Sequence, residues 1–297
     1  MGSTQFGKFH DFCRDSTLPV CNLFVDNNQP PNKAFDGCPL TGITLSGNRY
    51  LGNLGSILLA FISILTSLLL LWRSERKQAA VGRREIQLFL LGFIVIEICE
   101  IFTVGAFPLD AAVRKGFSAV HIAAITATCW VLLLNALVGY QFLDDGTPAS
   151  VGLISASALV FFIGTGYIAL DTGFNWTGEF KPDPSTEYRN IALYVLYQLF
   201  PLICLVLFYV LEAVLVIQVL GEFRPMFYLS GAGLLFAIGQ IFEYVISTHI
   251  CQATNGKING ALFETLFTLL SVVMIWIFWS SITEDDWPMP TGPGGYN

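Results

Sequence analysis

Seven apolar runs, each long enough to cross a bilayer as a helix and parted by short polar stretches, leave few folds open to this chain. They are Tyr50–Trp72, Ile86–Ala106, Phe117–Gln141, Ser150–Leu170, Ile191–Val219, Met226–Ser247 and Gly260–Ile282. A helix rises about 1.5 Å per residue, so about 20 residues match a hydrocarbon core of about 30 Å. Charged residues make up only 12% of the chain and the mean hydropathy is +0.63, whereas soluble chains carry about 25% charge. The expectation is an all-α integral membrane protein with a seven-transmembrane-helix bundle over residues 50–282. An N-terminal segment, 1–49, precedes it and a short tail, 283–297, follows. The net charge of −7 and the lack of a basic patch argue against a nucleic-acid partner.

The second run is the least comfortable in lipid. Thirteen of its residues from Ile86 to Ala106 are Leu, Ile, Phe or Val, worth about −4 to −8 kcal/mol for insertion. Glu97 and Glu100 lie inside it, and two ionised acids cost about 5–7 kcal/mol. The sum is near zero, so this helix belongs inside a bundle with its carboxyls protonated or partnered. Spaced i,i+3, they share a face. Small residues four apart let helix backbones approach. Gly52, Ser56 and Ala60, then Ala119, Ala123 and Ala127, then Gly233 and Ala237 suggest three such contacts. Pro201 should kink the fifth run.

Orientation follows from the loop after the first run, which holds Arg73, Arg76, Lys77, Arg83 and Arg84. Positive charge favours the cytosolic side, so the N-terminus is expected in the lumen and the C-terminus in the cytosol. Met1–Arg49 shows no cleavable leader pattern and is expected in the mature protein. Cys13, Cys21, Cys38 and Cys251 then all face the oxidising side and permit two disulfides, in any of three connectivities. The sequon Asn175-Trp176-Thr177 falls on that side too, only about five residues past the fourth run. Asn175 is the candidate glycosylation acceptor.

No catalytic constellation stands out. His10, His121 and His249 are not paired at metal-ligand spacing, and no C-x-x-C or G-x-S-x-G occurs. Cys99, Cys129 and Cys204 read as small core residues. Lys257 lies before the seventh run, outside the helix where a retinal Schiff base would need it. The chain therefore reads as a non-enzyme without cofactor or metal. Its remaining intramembrane polar groups are Glu97, Glu100, His121, Asn135, Glu212, Glu243 and Glu264, with Gln198 and Gln240. They suit interhelical hydrogen bonding or contact with a client membrane protein; a proton or ion relay is the competing reading. Leu143–Pro148 reads as a turn whose proline opens the fourth helix. After the seventh run, Glu284, Asp285 and Asp286 read either as a solvated end, with Trp276, Trp279 and Trp287 at the interface, or as an acidic sorting signal for vesicle-coat adaptors.

Several long stretches resemble the fungal chitin synthase export chaperones. They include EIQLFLLGFIVIEICEIFTVGAFPLD (Glu85–Asp110), HIAAITATCWVLLLNALVGYQFLDDGTP (His121–Pro148) and FIGTGYIALDTGFNWTG (Phe162–Gly178). LYVLYQLFPL (Leu193–Leu202), VLGEFRPM (Val219–Met226) and GKINGALFETLFTLLSVVMIWIFWSSITEDDWP (Gly256–Pro288) continue the match. The resemblance implies a seven-span escort of the endoplasmic reticulum membrane that binds a chitin synthase and lets it leave in transport vesicles, supporting cell-wall chitin. Expected partners are that synthase, vesicle-coat adaptors and membrane lipids, with onward travel to the plasma membrane open. A seven-span receptor and a proton-coupled carrier are the rival readings. The short loops 143–148 and 221–225 give a receptor little surface for a signalling partner.

Overall fold

Seven helices long and apolar enough to cross a membrane form where the apolar runs lie: Leu54–Arg76, Arg83–Thr103, Ala111–Gly139, Pro148–Phe174, Ile191–Leu220, Arg224–Ala253 and Gly260–Ser281. The computed structural model describes residues 6–25, 34–45, 49–104, 109–141, 145–181 and 184–283. The first helix begins at Leu54 and not at Tyr50, because Arg49–Leu51 pairs as a strand with Ile43–Leu45, antiparallel, Thr44 opposite Tyr50. The third helix starts at Ala111, ahead of its apolar run, and the fourth continues to Phe174, past the end of its own. At the fourth, Thr147 caps the start by accepting from Ser150 N at 3.2 Å, and Pro148 occupies the first turn, where a missing N–H costs nothing.

The third helix is the hub. It packs against the second, fourth and fifth, while the first bridges the second and seventh and the seventh lies along the sixth. The chain therefore closes a ring in the order third, second, first, seventh, sixth, fifth, with the fourth outside against the third. Its closing pair, fifth and sixth, meets only sparsely. Phe89, Leu90, Phe93, Leu132, Phe278 and Trp279 belong to the main core. Leucines, valines and isoleucines project outward instead, Val160 being 71% exposed, as expected of helices solvated by lipid.

Two of the three small-residue series lie at interfaces: Ser56 and Ala60, and Ala119, Ala123 and Ala127, are buried. The third does not, since Gly233 and Ala237 are exposed. Gly239 takes that part instead, its α-carbon so close to the seventh helix that a Cβ would lie 3.2 Å from Phe267 Cβ. Pro201 is accommodated by a π-turn, Val195–Leu199, that ends one residue short of it. Proline lacks the N–H that would bond the carbonyl four residues back, and its ring crowds that carbonyl; a wider turn relieves both. Two more π-turns, Leu215–Leu220 and Phe242–Ile246, lie in the fifth and sixth helices.

The N-terminal segment is more than a polar leader to the bundle. Residues His10–Asp15 form a short helix and Pro19–Phe24 a 3-10 turn, joined by the disulfide Cys13–Cys21. Phe9, Val20 and Leu23 bury fully and form a second core with Ile122, Ala169 and Leu193. Asn22 Nδ2 donates to Thr103 O at 3.2 Å and Ser118 Oγ at 2.9 Å. This segment caps one end of the bundle. The disulfide Cys38–Cys251 ties the chain after it to the end of the sixth helix, so one of the three connectivities is selected. Thr41 N donates to Gly256 O at 2.8 Å beside it.

The opposite end is latched by the loops. Glu85 Oε1 accepts from Gly146 N at 3.1 Å and Ser150 Oγ at 2.9 Å, and Asp145 Oδ2 from Gly82 N at 3.0 Å. Trp279 is buried in the bundle and donates its Nε1–H to Val81 O at 2.9 Å. Trp276 likewise donates to Ser74 Oγ at 2.7 Å.

Candidate functional site

Polar side chains from five spanning helices and the N-terminal segment converge below the capped end. The second helix presents Glu97 and Glu100 from successive turns, as their spacing requires. His121 of the third helix stands with Nε2 3.7 Å from Glu100 Oε2, and its Nδ1 is 2.8 Å from Thr103 Oγ1. The seventh helix adds Thr265, whose Oγ1 lies 3.5 Å from Glu100 Oε1, and Glu264, which falls in the second turn and not the first. Glu264 Oε1 accepts from Thr268 Oγ1 at 2.9 Å and from Gln240 Nε2 at 3.4 Å.

Glu243 completes the cluster from the sixth helix. Its Oε1 accepts from Thr17 N at 2.6 Å and Thr17 Oγ1 at 3.0 Å. Asn259 Nδ2 donates to Thr17 Oγ1 at 3.1 Å, and Asn53 Nδ2 to Asn259 Oδ1 at 3.1 Å. One chain of bonds thus joins the cap to the sixth, seventh and first helices. The π-turns matter here, since an inserted residue turns the face beyond it. Tyr197 and Gln198 lie in one such turn, Glu243 and Tyr244 in another, and all four reach the same space. Gln198 and Tyr244 bond each other across the fifth and sixth helices at 2.8 and 3.0 Å.

That space is a cavity of about 450 Å³. Its far wall is apolar, with Phe89, Leu132, Phe208 and Ile275, and no Lys or Arg is found among its described lining residues. Glu97 is only 2% exposed, yet its Oε2 has no hydrogen-bond partner; Glu243 Oε2 is equally alone. Buried polar atoms are usually satisfied, so these two oxygens call for an explanation. Among the described residues, no group of three or more His, Cys, Asp or Glu is disposed to hold a metal ion.

Five of the seven intramembrane residues picked out by sequence therefore meet: Glu97, Glu100, His121, Glu243 and Glu264. Asn135 and Glu212 do not join them. Both lie in the far halves of their helices, outside the cavity lining, with Asn135 Nδ2 and Glu212 Oε2 unpartnered. Asn175 is the exposed left-handed C-cap of the fourth helix, and the Thr177 hydroxyl of its sequon donates to Asp171 Oδ2 at 2.8 Å. Glu284, Asp285 and Asp286 lie outside the described residues. Thr17, Tyr197, Tyr244, Thr265 and Thr268 also line the cavity without having been anticipated. A hydroxyl i+4 from an acid on one helix, as Thr268 is from Glu264, is the signal that was available for one of them.

The profile of the family described as chitin synthase export chaperone matches residues 5–293. A protein named chitin synthase export chaperone from Coccidioides immitis is 30% identical over 97% of this chain and 86% of its own length. Proteins of the same name from Cryptococcus neoformans and Emericella nidulans are 28% and 27% identical, covering 97% of this chain and 77% and 86% of theirs. No solved structure matches the chain.

Proposed function

The chain belongs to the chitin synthase export chaperone family, and on that premise we propose that it is a multi-pass membrane escort that enables a chitin synthase to leave the endoplasmic reticulum. The observation that carries this is the family match across almost the whole chain, bundle and cap together. A seven-helix bundle in which the polar groups lie between helices, and not on a soluble module, suits a partner that is itself embedded in lipid. The capped end is then lumenal, consistent with two disulfides on that side, and the end bearing Arg73–Arg84 cytosolic. Residues 1–49, 50–282 and 283–297 act as lumenal cap, membrane domain and cytosolic tail. The chain works without chemistry of its own.

Removing the gene should leave the synthase in the endoplasmic reticulum and lower cell-wall chitin. Normal surface delivery in such a strain contradicts the proposal. The acidic tail is proposed as a contact for vesicle-coat adaptors, and Glu284, Asp285 and Asp286 changed together to Ala should slow exit of the pair. Unchanged exit returns those acids to a solvated end. Whether the escort continues to the plasma membrane is read by following both proteins in one cell.

A further inference from the structure

The cavity opens sideways. Between the fifth and sixth helices two polar bridges hold the ring closed: Gln198 with Tyr244 near the cap, and Tyr209 with Ser230 at 3.1 Å further in. Gln198 and Tyr209 stand eleven positions apart, about 16 Å along the helix. Between the bridges the lining residues Leu202 and Gly233 are exposed to the surroundings, Leu202 to 56%. A Cβ on Gly233 would meet nothing nearer than the Tyr209 ring at 3.8 Å. The result is a window in the membrane-facing wall with an apolar neck and an acidic floor.

We propose that this window receives a long cationic or amide side chain, Lys or Arg foremost, from a transmembrane helix of the client lying against the fifth and sixth helices. The inference rests on the escort reading above and names how that escort recognises its client. Charge complementarity carries it. Glu97, Glu100, Glu243 and Glu264 surround the floor without a cation among them, and two of their buried oxygens lack a donor. A lysine or arginine supplies what is missing: an apolar stem for the neck and N–H donors for the carboxyls. Such a residue is costly in lipid alone, so a client helix carrying one is poorly settled until a partner covers it. A phospholipid has the opposite polarity. Its headgroup stays at the membrane surface, and entry through the window would bring a methyl end to the acids. The N-terminal cap seals the cavity at the other side, with Thr17, Leu18 and Pro19 in its lining, so entry is lateral.

The test is photo-cross-linking in cells that carry a tagged chitin synthase, with a photoreactive residue placed at Leu202 or, as a remote reference, at Leu65 on the outer face of the first helix. The expected result is a client adduct from Leu202 and none from Leu65. Changing Glu97 and Glu243 to Leu should cut the Leu202 adduct about tenfold, the scale of one desolvated charge pair. Glu97→Gln, which keeps an acceptor, should retain more of it. Because the double change alters the bundle, Gly233→Leu serves as an independent plug and should also abolish the adduct. A client adduct from Leu65 but not Leu202 overturns the window while leaving the escort reading intact. Lipid adducts alone at Leu202 overturn it in favour of a lipid occupant. No client adduct at either position, with normal synthase delivery in the deletion strain, removes the escort reading itself.

Discussion

Two spanning helices flank the sixth, and it meets them in opposite ways. Against the seventh it forms a seam: a Cβ on Gly239 would approach Glu264 O to 3.4 Å, Ser271 Oγ donates to Ala232 O at 2.9 Å, and Phe242 stacks on Phe263 at 4.8 Å. A Cβ on Gly260 would collide with Phe242 O. Against the fifth it leaves the window, where Gly233 faces only a tyrosine ring. Both regions use glycine on one helix. In the seam glycine removes bulk so that backbones touch; at the window it removes bulk so that space remains. The difference shows that a small residue in a membrane helix does not by itself mark an interface.

Breaking the disulfide that anchors the end of the sixth helix should have the largest effect. Cys38→Ser with Cys251→Ser releases a crosslink spanning 213 positions, and loss of such a bridge costs about 2–5 kcal/mol. Thermal unfolding in detergent should show it, and reduction should shift the gel mobility of the wild type but not of a variant lacking all four cap-side cysteines.

Next, Gly239→Leu overpacks the seam and should cost about 1–3 kcal/mol. Gly233→Leu should stay within about 0.5 kcal/mol of wild type, since it enters open space. Equal losses at the two glycines would erase the distinction between seam and window.

Glu97 sharpens the comparison from inside the cavity. Replacing it with Leu removes a buried oxygen that has no partner, so unfolding should shift upward, by about 1 kcal/mol, while escort is lost. Glu97→Gln keeps an acceptor but loses the charge, so escort should fall between the levels of wild type and Glu97→Leu. If Gln abolishes escort as fully as Leu does, a proton role at this carboxyl is indicated instead.

The smallest effect belongs to the cap. Lys8 Nζ lies 2.6 Å from Glu187, and that hydrogen bond and charge hold the Glu187 carboxyl below the usual glutamate range. A lowered folded value means the stabilisation is present above the ordinary pKa and fades as pH falls through the folded one. Acidification should therefore narrow the gap in melting temperature between wild type and Glu187→Gln. A gap unchanged by pH would remove this contribution.

Much of the bundle is legible in the sequence because lipid enforces long apolar runs, and seven of them cannot be hidden. The acids were legible for the same reason: Glu97 and Glu100 stand out where polarity is costly. What was not legible depends on rotation. The π-turns decide that Tyr197, Gln198, Glu243 and Tyr244 face one space, and no short motif announces them apart from Pro201. Gly233 and Ala237 fit the small-residue pattern but face outward, while Gly239 makes the contact. The cap was hidden too. Phe9, Val20 and Leu23 are scattered among polar residues, and only the fold gathers them onto the third, fourth and fifth helices.

On the proposal above, the open side of the sixth helix serves the client and the closed side serves the fold. The most direct test is the fraction of chitin synthase at the cell surface when Gly233→Leu replaces the wild-type escort. The expected result is an escort that accumulates and melts as wild type, with surface synthase reduced to the level of the deletion strain. Wild-type surface delivery with the window filled would contradict it.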